Sequence, residues 1–336
     1  MQFLQSILSL IGGLALFLFG MNVMGESLEA RAGDRLREWL ARLASTRLRG
    51  LFLGLAVTAL VQSSSAVTVT AVGFVNSGLL TLSNVTGIIM GANIGTTVTA
   101  WLVSLTQIDS SNIFLWLLKP TSFAPILALI GIVLYLSSKK RQRLGIGTSL
   151  LGFAILMFGM EMMTDAAKPL SDSPAFRDAF AAISSPLLGV LTGAVLTAIL
   201  QSSSASVGIL QALSAGGAIS LGGAIPIVMG QNIGTCVTTL ISSIGTSKNA
   251  KRAAMLHLYF NLLGTAILLT VFMIVRNLLP APYLDGAATP VSIALSHTAF
   301  NVLSTLILFP FGTLLERIAS TSVRNEKGKR KEGLRH

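Results

Sequence analysis

The chain has 336 residues, of which 52% are hydrophobic and 11% charged, with a formal net charge of +11. An average soluble domain carries roughly 25% charged residues, so this composition excludes an ordinary soluble globular protein and defines a membrane protein. The single cysteine, Cys236, excludes an intramolecular disulfide and a cysteine-based metal site.

In chain order, Phe3 to Met24 is the first uninterrupted apolar stretch, close to the ~20 residues that cross a bilayer. It has no Lys or Arg ahead of its apolar core and no small-x-small cleavage site, so a spanning helix is expected rather than a secretory signal. Residues 27 to 49 place Leu36, Trp39, Leu40 and Leu43 on one face, with Arg31, Arg35 and Arg42 among the polar residues. That pattern predicts an amphipathic helix at the cytoplasmic interface. From Gly50 an apolar helix of about twelve residues, ~18 Å long against a hydrocarbon core of ~30 Å, ends in Gln62-Ser63-Ser64-Ser65. Ala66 to Val75 leads away from the serines, so the segment either crosses in two halves or turns back as a re-entrant hairpin.

Next, "GANIGT" sets Gly91 and Gly95 around Asn93 about halfway along an apolar segment, which predicts a helix broken near mid-membrane. Ile113 to Leu136 and Leu144 to Met163 are spanning stretches, with Lys119 near enough to the outer edge to snorkel. "QSSSA" then recurs at 201 to 205, and "GQNIGT" sets Gly230 and Gly234 around Asn232. Ala253 to Val275 and Val291 to Leu315 complete the spans, and His257 and His297 on them are expected to pack or cap there.

The two QSSSA segments lie 139 residues apart. The same offset aligns "GANIGTTVT" with "GQNIGTCVT" and "FGMNVM" with "FGMEMM", which is a duplication covering at least residues 9 to 99 and 148 to 238. Beyond that the symmetry lapses, since the first-copy position matching Asn261 is Ser122 in an unrelated segment. Twenty of the twenty-four Lys and Arg residues cluster in 25 to 49, 137 to 143, 245 to 252 and from Arg317 onward. If both QSSS segments are re-entrant, all four clusters fall on one side, as short cytoplasmic loops require.

The expected fold is an all-α polytopic membrane protein with seven spanning helices and two hairpins, the N-terminus outside and the C-terminus cytoplasmic. Its parts are a first repeat over 1–143 (hairpin 50–77, broken helix 79–105) and a second over 144–315 (hairpin 187–216, broken helix 218–244). A basic tail occupies 316–336. The repeats are then inverted, a common plan for secondary transporters.

The side chains expected to converge are Gln62, Ser63, Ser64, Ser65, Asn93, Thr96 and Thr97 with Gln201, Ser202, Ser203, Ser204, Asn232 and Thr235, all neutral. Nucleophilic catalysis is poorly supported, because no serine here has a His or carboxylate near it in sequence. Hydroxyls, amides and free carbonyls suit a hard cation such as sodium, while Ser hydroxyls and N–H groups at a helix N-terminus suit an oxyanion. With no Lys or Arg expected at the midplane, co-bound sodium would neutralise a multivalent anion and couple the two solutes.

With the QSSS hairpins, the Gly-x-Asn-Ile-Gly-Thr segments and the two His-x-x-Phe-Asn segments, the chain resembles the type II sodium-phosphate cotransporter family over roughly residues 3 to 315. The resemblance implies a sodium-coupled secondary active transporter of inorganic phosphate in the cell membrane, working by alternating access. Phosphate would lie against Gln62, Ser63, Ser64, Ser65, Gln201, Ser202, Ser203 and Ser204. Sodium would lie against Ser65, Asn93, Thr96, Thr97, Ser204, Asn232 and Thr235, and how oxygens divide between the two stays open. No cofactor is implied beyond the transported sodium ions. Expected partners are phosphate, sodium and the lipid bilayer, with a homodimer left open and no nucleic acid.

Unlike many bacterial members, the chain is expected to carry no PhoU-like domain after Arg317, and the loop from 164 to 186 is short beside that of animal members. Gln231 and Cys236 replace the first-copy Ala92 and Thr97, which makes the half-sites unequal. The competing functions are transport of another oxyanion, proton coupling, a channel, or a phosphate-sensing membrane partner.

Overall fold

Apolar runs broken by Gly, Pro and Ser-rich junctions fold here into helices and connecting turns. The computed structural model describes residues 2–107, 119–171, 173, 174, 178, 185–278 and 282–323, with residues 2 and 34–36 described by backbone alone. The helices are α1 (Gln2–Leu43), α2 (Arg47–Val61), α3 (Ser64–Asn76), α4 (Leu82–Ser104), α5 (Pro120–Ser137), α6 (Arg141–Ser171) and α7 (Pro186–Leu200). They continue as α8 (Ser203–Ser214), α9 (Leu221–Ser242), α10 (Lys248–Leu278), α11 (Pro282–Asp285), α12 (Pro290–Leu308) and α13 (Gly312–Ser322). Seven of these, α1, α4, α5, α6, α9, α10 and α12, are long and apolar enough to cross a bilayer.

The duplication is legible in the helix boundaries: α2, α3 and α4 start at 47, 64 and 82, and α7, α8 and α9 start 139 residues later in each case. Helices α1 and α6 pack antiparallel through their glycines. A Cβ at Gly13 would meet Gly159 O at 2.9 Å, and one at Gly20 would meet Gly152 O at 2.6 Å. Gly13 and Gly20 are themselves the repeat mates of Gly152 and Gly159, so this interface joins the two copies through equivalent surfaces.

Within each copy, the first hairpin arm runs parallel to the long helix that follows. Gly87, Gly91 and Gly95 of α4 lie against the carbonyls of Arg47, Leu51 and Leu55 of α2, and Gly230 and Gly234 of α9 lie against those of Val190 and Ala194 of α7. For α4 to start beside the start of α2, α3 must bring the chain back, so α2–α3 and α7–α8 are helix-turn-helix hairpins. A shared apolar core joins Val57, Val61, Val67 and Val72 of the first hairpin to Ile88, Ile89, Leu256 and Phe260. The ring of Phe17 on α1 packs on Gly208 of α8 and ties the first copy to the second hairpin.

Four expectations are corrected. Helices α4 and α9 are continuous α-helices through both GxNIGT segments. The glycines there admit a neighbouring backbone: a Cβ at Gly91 would sit 1.9 Å from Leu51 O, and one at Gly230 equally close to Val190 O. Second, the amphipathic helix is shorter than 27–49: a kink at Gly33, where φ and ψ leave the helical range, divides α1 into two helices, the second of which ends at Leu43 before α2 begins at Arg47. Of its apolar face Leu40 is fully buried, but Trp39 and Leu43 are 41% and 53% exposed, while the side chain of Leu36 is outside the described residues. Third, the last span stops at Leu308, because Pro310 cannot continue it, and α13 forms beyond. Lys119 is the N-cap of α5, ahead of Pro120 at the first helical position, rather than an interior residue. Residues 113 to 118 of that expected span lie outside the described residues.

Candidate functional site

Each hairpin tip turns on a glutamine. Gln62 (φ 60°) and Gln201 (φ 54°) are the only non-glycine residues with left-handed backbone among the described residues. Their N–H groups close the preceding helices onto Thr58 O and Thr197 O. The following serines, Ser63 and Ser202, are extended N-caps whose hydroxyls each accept from a backbone N–H, of Ala66 and Ala205, at 3.2 Å. The sequence Gln-Ser thus ends one helix and starts another within two residues, leaving the first N–H groups of α3 and α8 free at the tip. Gln62 is anchored further, with its Oε1 accepting from Thr99 Oγ1 at 2.8 Å.

The structure brings Gln62, Ser63, Ser64, Ser65, Gln201, Ser202, Ser203 and Ser204 around one cavity of about 510 Å³. Two helix N-termini from separate copies therefore face the same space, an arrangement favourable to an anion. Ser64 and Ser203 are 8% and 4% exposed. Neither hydroxyl makes a hydrogen bond among the described residues. Among the described residues no Lys or Arg lines the cavity; the remaining walls are Leu18, Met21, Asn22, Gly25, Glu26, Glu29 and Leu200. Sequence reasoning missed the α1 wall. Asn22, Glu26 and Glu29, spaced at three and four, give α1 a polar face, but that spacing does not say which neighbour the face meets.

Asn93, Thr96, Thr97, Asn232 and Thr235 are buried on α4 and α9 and do not line this cavity. Thr96, Thr97 and Thr235 donate to Ala92 O, Ile94 O and Gln231 O on their own helices. Asn232 Nδ2 donates to Val228 O, whereas Asn93 Nδ2 reaches across to Asn261 Oδ1 at 3.0 Å.

His257 belongs to a buried chain leading back to the first tip. Thr68 Oγ1 donates to Ser65 O at 3.1 Å and lies 3.3 Å from Thr239 Oγ1, which lies 3.0 Å from His257 Nδ1. Each hydroxyl has one proton, so the chain closes when His257 carries its proton on Nδ1. Asn261 joins in by donating to His257 O at 3.0 Å. The repeat mate of Thr239 is Ala100, and no such chain leads to the buried His297, both of whose ring nitrogens lack partners. Among the described residues no three His, Cys, Asp or Glu side chains gather as a metal cluster would require.

A duplicated set of hairpins around one polar cavity, together with seven helices of bilayer length, defines a multi-pass membrane protein. The sequence profile described as "Na+/Pi-cotransporter" matches residues 16–165 and 167–279, and the chain belongs to that family, one of transporters rather than enzymes. It is 31% identical over 303 residues to "Uncharacterized protein YqeW" of Bacillus subtilis, covering 90% of this chain and 93% of that one. It is 28% identical over 322 residues to the "Putative inorganic phosphate export protein YjbB" of Escherichia coli, covering 96% of this chain but only 56% of the relative. "Sodium-dependent phosphate transport protein 2B" of Homo sapiens is 35% identical over 115 residues, 34% of this chain and 17% of that one. No solved structure matches.

Proposed function

We propose that the protein is a sodium-coupled secondary active transporter of inorganic phosphate, with both solutes held between the two hairpin tips near mid-membrane and access alternating between the two sides. The observation that carries this is the cavity of about 510 Å³ shared by both QSSS segments, faced by two helix N-termini and lined, among the described residues, by no cationic side chain. An anion is drawn by the N–H groups and serine hydroxyls, and a co-bound cation supplies the charge that no Lys or Arg provides.

Parallel packing of α2 with α4, and of α7 with α9, supports re-entrant hairpins, since a tip that crossed fully would force those helices antiparallel. Antiparallel packing of the repeat mates α1 and α6 supports inverted repeats, with the N-terminus outside and the basic clusters in the cytoplasm. Only α1 of that pair lines the cavity; Glu161 and Asp165 of α6 line a separate one with Gln5, Ser6 and Ser9. That asymmetry between repeat mates supports alternating access, in which the two copies exchange roles.

Sodium would take Ser65, Ser204 and the exposed carbonyl ends of α2 and α7. The threonines of α4 and α9 keep lone pairs free of their helix bonds, and Asn93 and Asn232 keep Oδ1, so closure of the tips onto these helices would complete the cation sites.

Labelled phosphate flux in proteoliposomes with imposed sodium gradients tests the proposal. Flux should follow the sodium gradient and fall more than about tenfold in Ser64→Ala with Ser203→Ala, two lost hydrogen bonds to a charged ligand. Flux indifferent to the gradient refutes sodium coupling, and flux surviving the double substitution moves the site elsewhere. Because the E. coli relative is named for export, both directions of flux are to be measured.

A further inference from the structure

We propose that Glu26 makes the hairpin cavity selective for protonated oxyanions, by accepting the hydrogen bond that the P–O–H group of phosphate donates and that sulfate cannot donate. The proposal rests on the cavity's being an oxyanion site. Glu26 lines the same cavity as all eight hairpin residues. Both are exposed residues of α1, and Asn22 Nδ2, one helical turn earlier, donates to Glu26 Oε1 at 2.9 Å and leaves Oε2 without a partner among the described residues. An ionised glutamate is an acceptor only.

The rest of the cavity is supplied with donors. The unpartnered hydroxyls of Ser64 and Ser203, 8% and 4% exposed, and the free N–H groups of two helix N-termini suit the unprotonated oxygens of a tetrahedral anion. Near neutral pH phosphate carries at least one proton and arsenate likewise, whereas sulfate carries none. A carboxylate at this wall therefore gains a charge-assisted O–H···O bond with the first two and only repulsion with the third. Sulfate has no cationic side chain here to offset that repulsion, since none among the described residues lines the cavity.

The second copy shows that acidity at these positions does not by itself make such a wall. The repeat mate of Glu26 is Asp165, which pairs with Lys168 at 3.3 Å and lines the other cavity, away from the serines. Among the described residues neither Glu26 nor Glu29 forms an ion pair. Glu29 lies a further turn along α1 and among the described residues makes no side-chain hydrogen bond like that of Asn22 to Glu26, so Glu26 is the carboxylate chosen.

The test uses the full chain in proteoliposomes and reads inhibition of labelled phosphate flux by sulfate and by arsenate, with the half-saturation for phosphate and sodium. In the unsubstituted protein arsenate should compete and a large excess of sulfate should not. Glu26→Gln, which replaces an acceptor by an amide that also donates, should weaken phosphate and strengthen sulfate by about tenfold each, with sodium half-saturation unchanged. Glu26→Asp, which keeps a carboxylate, should retain the exclusion of sulfate and provides a second measurement should the glutamine variant fold poorly. Sulfate competing as well as arsenate in the unsubstituted protein overturns the proposal. So does discrimination unchanged in Glu26→Gln, or a change confined to sodium half-saturation, which marks a cation ligand. Absence of phosphate flux in the unsubstituted protein refutes the transport function itself; normal flux with unaltered selectivity in Glu26→Gln refutes only the role of Glu26.

Discussion

A left-handed backbone costs a non-glycine residue roughly 1–2 kcal/mol, yet both hairpins turn on glutamine. At Gln62 the side chain offsets that cost by donating to the carbonyl of Ala59 in its own hairpin arm and accepting from Thr99 Oγ1, the bond that holds the tip against α4. Gln62→Gly should therefore leave stability within about 1 kcal/mol, as relief of the backbone balances the lost bonds. Phosphate flux should nevertheless fall, because the tip is released; unchanged flux would show that the anchor serves stability alone. A second residue-scale pair lies at the base of the same hairpin. Arg47 Nη2 meets Glu316 Oε1 at 2.7 Å, with side chains 20% and 18% exposed, and Thr86 Oγ1 donates to the same carboxylate oxygen at 3.2 Å. Arg47→Ala strands a largely buried carboxylate and should cost about 3 kcal/mol, read as a lower unfolding midpoint in detergent. Arg47→Ala combined with Glu316→Ala should recover part of the loss.

At the scale of elements, glycine placement decides how closely the hairpins sit on the long helices. Gly91→Ala would put a methyl group 1.9 Å from Leu51 O, so α2 and α4 must separate. A loss of at least about 3 kcal/mol in thermal unfolding is expected, at the upper end of overpacking costs. Gly73, in α3, has no atom within 4 Å of its would-be Cβ, and Gly73→Ala should raise stability by about 0.5–1 kcal/mol. Equal effects of the two substitutions would refute the close helix contact. The contrast also shows why the GxNIGT glycines misled as a sequence signal. Glycine permits both an unwound helix and a close approach, and sequence spacing is the same for either; the carbonyls of Leu51 and Val190 choose between them.

For the whole molecule, the outstanding quantity is orientation in the bilayer. Cys236 is fully buried and provides a silent background for labelling. A membrane-impermeant maleimide applied to intact cells should modify Asp178→Cys at once and Lys139→Cys only after permeabilisation, both positions being exposed. The reverse pattern would place the basic clusters outside and remove the inverted-repeat assignment. Seven helices, the duplication and the composition of both tips were legible in the sequence. The α1 wall of the cavity, with Asn22 and Glu26, was not, because nothing local tells a helix of mixed polarity which neighbour its polar face meets.

The sequence by itself determined where the chain can cross a bilayer and that it does so in two related halves, since hydropathy and repeated residues are properties of consecutive positions. Only the tertiary structure decided that α4 and α9 stay helical through their glycines and that Asn93 reaches Asn261 rather than the hairpin cavity. It also decided that one copy, through α1, closes the wall around both sets of serines. Each of these depends on which backbone approaches which side chain from a distant part of the chain, a choice that packing makes and that residue spacing does not encode.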